Sequence, residues 1–127
     1  MYVISIISFV VIDALWLLVI SKNLYKKELG NLMTDNPNLI AAIIFYVIYT
    51  AVLIYFVINP SIIEKDLTNL LIKASLFGLI TYFTYDITNF IILKNYPLKI
   101  VIIDIIWGIF IVNAVSFITY NIYNFIK

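Results

Sequence analysis

Three aspartates sit where an aspartate is expensive. Asp13, Asp86 and Asp104 each interrupt a long apolar stretch, whereas the other four acids, Glu28, Asp35, Glu64 and Asp66, fall among polar neighbours. A carboxylate near the centre of a bilayer costs about 2.5 to 3.5 kcal/mol on insertion scales, so it is normally turned inward and is paired, protonated or functional. The chain has no His and no Cys, and every one of its 8 basic residues is a Lys. That removes thiol nucleophiles, imidazole bases and the usual zinc ligands, and leaves carboxylate, lysine, hydroxyl and amide chemistry. No Lys is spaced to meet the three aspartates at depth. The chemistry open to them is the binding of protons, of a hard metal ion held with further oxygens, or of a cationic or hydroxyl-bearing solute.

The elements that must position these acids follow from composition. The chain is 65% hydrophobic and 12% charged, with a mean hydropathy of +1.10. A soluble domain is nearer half apolar with about twice the charge. A helical span needs about 20 apolar residues, and four stretches qualify: residues 2–21, 39–59, 70–93 and 100–125. The expectation is an all-α, integral membrane four-helix bundle forming a single transmembrane domain over residues 1–127. The first stretch has no basic start and carries Asp13 and Trp16 in its middle, so it reads as a retained helix rather than a cleaved leader. Between the spans lie polar breaks: Asn36-Pro37 closes a long loop, Asn59-Pro60 is expected to stop the second span, and Asn95-Tyr96-Pro97 separates the third from the fourth. Within the first loop, Leu24, Tyr25, Leu29, Leu32 and Met33 recur at helical spacing, the pattern either of a short helix lying on the membrane surface or of a first span that runs on into a polar extension.

Helical spacing then gathers polar groups around each acid. Gly78, Tyr82, Tyr85, Asp86 and Asn89 form one stripe of the third span, with Thr81, Thr84 and Thr88 making a milder one beside it. Tyr46, Tyr49 and Thr50 share a face of the second span and carry hydroxyls able to donate to a carboxylate. Asp13 with Trp16, and Asp104 with Trp107, each put an acid and an indole three residues apart on one helix face. At a rise of about 1.5 Å per residue, the three acids lie roughly 8 to 13 Å below the same side of the bilayer. The candidate site is therefore Asp13, Asp86 and Asp104, supported by Tyr82, Tyr85, Asn89, Trp16 and Trp107, with the three aspartates also the candidate metal ligands.

Three functions fit such a cluster. The first is proton, cation or small-solute handling; the second is a lipid-processing intramembrane enzyme or accessory; the third is an assembly protein in which the acids tie helices together. Phosphate-binding loops, zinc-protease motifs and serine-nucleophile motifs are absent, so the sequence asks for no cofactor and offers no nucleic-acid surface. The expected partners are membrane lipids. Four helices are few for an aqueous path through a monomer, which makes a homodimer one form for the transport reading, the other being a single bundle closed around a small internal site.

The order of motifs also resembles a known family. Asp13-Ala14-Leu15-Trp16-Leu17, Tyr25-Lys26-Lys27-Glu28-Leu29-Gly30, Phe45-Tyr46 with Tyr49, Leu76-Phe77-Gly78-Leu79, Thr84-Tyr85-Asp86-Ile87-Thr88-Asn89, and Asp104 with Trp107-Gly108 are similar to the bacterial membrane proteins grouped as domain of unknown function 2177. The resemblance covers nearly the whole chain, and the Tyr-Asp-x-Thr-Asn element is its most specific part. Ala74-Ser75 stands where that family usually has Gly-Ala. The resemblance implies a four-helix protein of the bacterial inner membrane, and it implies no particular activity.

Orientation follows from the lysines. Lys22, Lys26, Lys27, Lys94 and Lys99 flank one side of the bilayer and Lys65, Lys73 and Lys127 the other, which makes the five-lysine side cytoplasmic and puts both termini outside. Cysteines introduced at Asn31 and Asn95 should therefore react only with reagents that reach the cytoplasm. Labelling of both from outside reverses the topology.

Overall fold

The computed structural model describes residues 1–20, 23, 27 and 38–126. The expected surface helix of the first loop falls outside the described residues. Four helices carry the chain: α1 (Tyr2–Leu15), extended by a wider π-helical turn over Trp16–Ile20, α2 (Leu39–Glu64), α3 (Leu67–Ile92) and α4 (Leu98–Ile126), with no strand among the described residues. The last three are long and apolar enough to cross a membrane, and Tyr2–Leu18 is a shorter apolar helix. All four leave large apolar side chains on the outside, among them Ile7, Ile43, Phe56, Ile91 and Phe117. Apolar exposure on this scale suits acyl chains rather than water.

The second helix does not stop where Asn59-Pro60 was expected to end it. It widens into a π-helical turn over Ile54–Ile58, in which the Asn59 N–H reaches back five residues to the Ile54 carbonyl, and then continues as Asn59–Glu64. Proline lacks a donor and its ring crowds the carbonyl four residues earlier, so a helix passes through it only with local rearrangement. The widened turn immediately before Pro60 supplies that room. The break between α2 and α3 is thereby reduced to Lys65 and Asp66: Lys65 takes a left-handed conformation at φ 56°, and the Asp66 side chain caps α3 by accepting from the Asn69 N–H at 3.0 Å. Asn38 caps α2 in the same way, through the Ala41 N–H at 3.1 Å. Carboxylate and amide caps satisfy donors that the first helical turn leaves open.

The core is centred on α4. Trp107, Gly108, Ile111, Val112, Val115, Ser116 and Thr119 are buried on it at helical spacing, and it packs against α3 and α1. The approach to α3 is close because glycines face each other: a Cβ on Gly78 would stand 2.6 Å from the Gly108 carbonyl oxygen and 3.0 Å from the Ile109 Cα. Small residues let helices in lipid approach until backbone dispersion and short polar ties hold them. Such ties are present. Ser5 on α1 shares a 2.8 Å hydrogen bond with Thr119 on α4, and Asn113 on α4 donates to Ser75 on α3 at 2.9 Å.

Gly78→Ala should therefore force α3 and α4 apart, since the atom it meets is backbone and has no rotamer to yield. A cost of about 1–3 kcal/mol is expected, as for overpacking elsewhere. Thermal melting in detergent checks it. Melting unchanged from wild type would mean that the two backbones do not touch.

Candidate functional site

Asp13 is the fixed point of the site. It is nearly buried on α1 at 9% exposure, and both carboxyl oxygens are occupied: the Tyr46 hydroxyl of α2 donates to Oδ2, and the Trp107 indole N–H of α4 donates to Oδ1 at 3.2 Å. One side chain thus joins three helices. Trp16, on the widened turn that follows Asp13, lies flat on Trp107 with ring centroids 4.4 Å apart and planes 9° from parallel. Indole-on-indole stacking adds dispersion to the hydrogen bond and holds the Trp107 ring in the orientation that Asp13 needs. The two Asp-x-x-Trp motifs therefore interlock across the bundle, the indole of the second serving the acid of the first.

Asp104 is the member that the other two acids share. Its carboxyl is an electrostatic neighbour of Asp13 on α1 and of Asp86 on α3. Asp86 is fully buried, and Asp104 and Tyr96 are its polar neighbours. The Tyr96 hydroxyl donates to Asp86 Oδ1 over a long 3.4 Å, while Oδ2 is out of solvent and makes no well-formed hydrogen bond. The three acids do converge, as a chain through Asp104. Among the described residues no three acidic side chains are grouped closely enough to hold a metal ion.

Tyr96 is the participant that sequence reasoning passed over. It lies in the connection between α3 and α4, where Asn95 takes a left-handed conformation at φ 60° and folds the chain back on itself. Asn is among the few residues that adopt that conformation cheaply. Burial pushes the Tyr96 phenol up to about 12; a hydrogen bond with Asn89 acts against this, and nearby Asp86, Tyr85 and Asp104 add to it. Tyr96 is therefore a neutral donor at any physiological pH, and it brings Asn89 into the cluster. Its signal in the sequence was only an aromatic before a proline.

A half-open cleft of about 820 Å³ lies beside these groups. Asp13 and Asp104 contribute its charged lining, and its walls include the rings of Trp16, Trp107, Phe45, Tyr49 and Tyr82. Tyr82 stands near both Asp13 and Asp104, and its ring occupies the space that a Cβ on Gly108 would need. Tyr85 lines the cleft from the rim at 62% exposure, and among the described residues no hydrogen bond joins it to an acid. On α2 the expected donors divide: Tyr46 serves Asp13, Tyr49 pairs instead with the Thr81 hydroxyl at 2.8 Å, and Thr50 is buried without a partner for its hydroxyl.

Fold and site together define a helical membrane protein with an acidic, aromatic-walled cleft between its helices. The chain belongs to the DUF2177 family, described as predicted membrane protein, which matches residues 1–121. No curated protein and no solved structure matches it.

Asp13→Leu should be the most damaging change at the site. It strands the Tyr46 hydroxyl and the Trp107 N–H in an apolar setting, at about 1–3 kcal/mol for each lost partner. Asp13→Asn keeps one acceptor and should lie between Leu and wild type. Melting in detergent gives the order, and a shifted tryptophan emission should accompany the Leu variant. Equal melting of all three would mean that these bonds do not form.

Proposed function

We propose that the protein binds and handles protons, a cation or a small solute at the membrane-embedded cluster of Asp13, Asp86 and Asp104, and that it does so in the inner membrane of a bacterium. The observation that carries this reading is the cleft itself: two carboxyls from different helices line one accessible space, and a third stands behind them. Interhelical glue would close such groups against each other and against hydroxyl donors, because an exposed or unsatisfied acid weakens the packing that the tie is meant to strengthen. Here Asp13 is satisfied, whereas Asp86 keeps a buried oxygen without a well-formed hydrogen bond.

The division of labour follows. Asp13, fixed by Tyr46 and Trp107, sets the geometry of the cleft wall. Asp104 and Asp86, adjacent carboxyls on neighbouring helices, bind one proton between them or a cation in its place, the behaviour of paired carboxyl groups in general. Tyr96 joins this pair to the α3–α4 connection, the side on which lysines favour a cytoplasmic exit.

Asp86→Asn and Asp104→Asn, each keeping the size of the side chain, should leave thermal melting close to wild type while abolishing proton flux or cation uptake measured on liposomes. Flux and uptake identical to wild type in both variants, with normal melting, would defeat this function and favour glue.

A further inference from the structure

The cleft carries more information than the acids alone. Its volume, about 820 Å³, falls in the range of pockets that enclose drug-sized molecules, and a bare proton or metal ion would leave nearly all of it unfilled. Its walls are predominantly aromatic and aliphatic, with Trp16 and Trp107 presented as a stacked plate. Formal charge on its described lining is of one sign, from Asp13 and Asp104, and no lysine stands among the lining residues. Behind the lining, Asp86 is fully buried beside Asp104 and holds its Oδ2 without a well-formed hydrogen bond. Size, wall chemistry and charge thus describe one space, and the buried Asp86 stands behind it.

We infer that the cleft is a binding site for an amphiphilic organic cation, whose positive head sits against the Asp104 carboxyl, beside the Asp13 that fixes the wall, and whose apolar body rests on the rings of Trp16, Trp107, Phe45 and Tyr82. The inference rests on the reading of the acidic cluster as a site and names the class of its ligand. An apolar body gains from leaving water for these walls roughly in proportion to the area it buries. A cationic head is favoured twice, by the carboxylates and by the electron-rich faces of the indoles and phenols. An anionic amphiphile meets only like charge in the described lining, and a strongly hydrated inorganic cation has no use for the walls.

Both tryptophans of the chain line the cleft, so tryptophan emission reads the site without a label. The experiment titrates the full-length protein in liposomes with tetraphenylphosphonium and, separately, with neutral triphenylphosphine oxide, exciting at the red edge of indole absorption. Tetraphenylphosphonium should give a saturable change that the neutral compound does not. Asp104→Asn should weaken it by about tenfold or more, the scale of one lost charge contact in a partly desolvated site, while Asp104→Glu retains it. Circular dichroism and melting establish that both variants are folded. Equal binding of the neutral compound, or full binding to folded Asp104→Asn, overturns the inference. Failure of tetraphenylphosphonium to bind while aspartate-dependent proton flux persists overturns the ligand class and leaves the proposed function standing; loss of both removes the two together.

Discussion

A carboxyl group buried among apolar helices must be given partners, and the rest of this structure is arranged around how Asp13 is given them. Its two oxygens take a phenol from α2 and an indole from α4, so three helices are fixed to one another through a single side chain. Each consequence follows locally. Trp107 must hold its N–H toward Asp13, and Trp16 stacks on it to keep it there. Tyr46 must approach from α2, and Phe9 fills the space beneath it, edge-on to the rings of Phe45, Tyr46 and Tyr49. In lipid the apolar contacts among these helices give little net drive to associate, because acyl chains offer the same contacts. Polar bonds and close backbone approach therefore carry a share of the specificity that hydrophobic burial carries in water.

Much of this was legible in the chain because membrane helices obey few and strict rules. Composition alone requires spans, since unpaired backbone groups are not tolerated in hydrocarbon, and helical spacing then places Gly78, Tyr82 and Asp86 on one buried stripe. The same periodicity fails wherever a helix departs from ideal geometry. Pro60 read as a stop because the compensating turn over Ile54–Ile58 has no signature in residue types; its residues are ordinary apolar ones. Tyr85 read as a site residue because it falls on the stripe of Gly78 and Tyr82 directly before Asp86, yet the step between neighbours is about 100° around a helix and leaves its ring at the rim of the cleft.

Tyr96 illustrates a different limit. Periodicity relates residues on one element, and Tyr96 reaches Asp86 from the connection after it, through a turn that depends on the left-handed conformation of Asn95. Contacts of that kind depend on the path of the backbone between elements. The cross-pairing of the two Asp-x-x-Trp motifs belongs to the same class: each motif is visible locally, but the bond that matters runs from Trp107 to Asp13 rather than within either motif.

The contrast between the acids finally bears on why the cluster is built as it is. A fold selected only for packing has no reason to retain Asp86, since an apolar residue of similar size would cost less on a fully buried face between α3 and its neighbours. Asp13 is different, for its removal strands two donors, and its retention is accounted for by structure alone. Thr50 and Ser116 also bury hydroxyl oxygens without partners, but a neutral hydroxyl is a far smaller expense than a carboxyl group. The structural acid is thus the one on α1, and the acid whose cost the packing does not explain is the one on α3. It meets Asp104 at the back of a cleft whose other wall Asp13 holds in place. That asymmetry, one carboxyl held by two donors beside another that keeps a buried oxygen without a well-formed hydrogen bond, separates the part Asp13 plays in packing from that of Asp86.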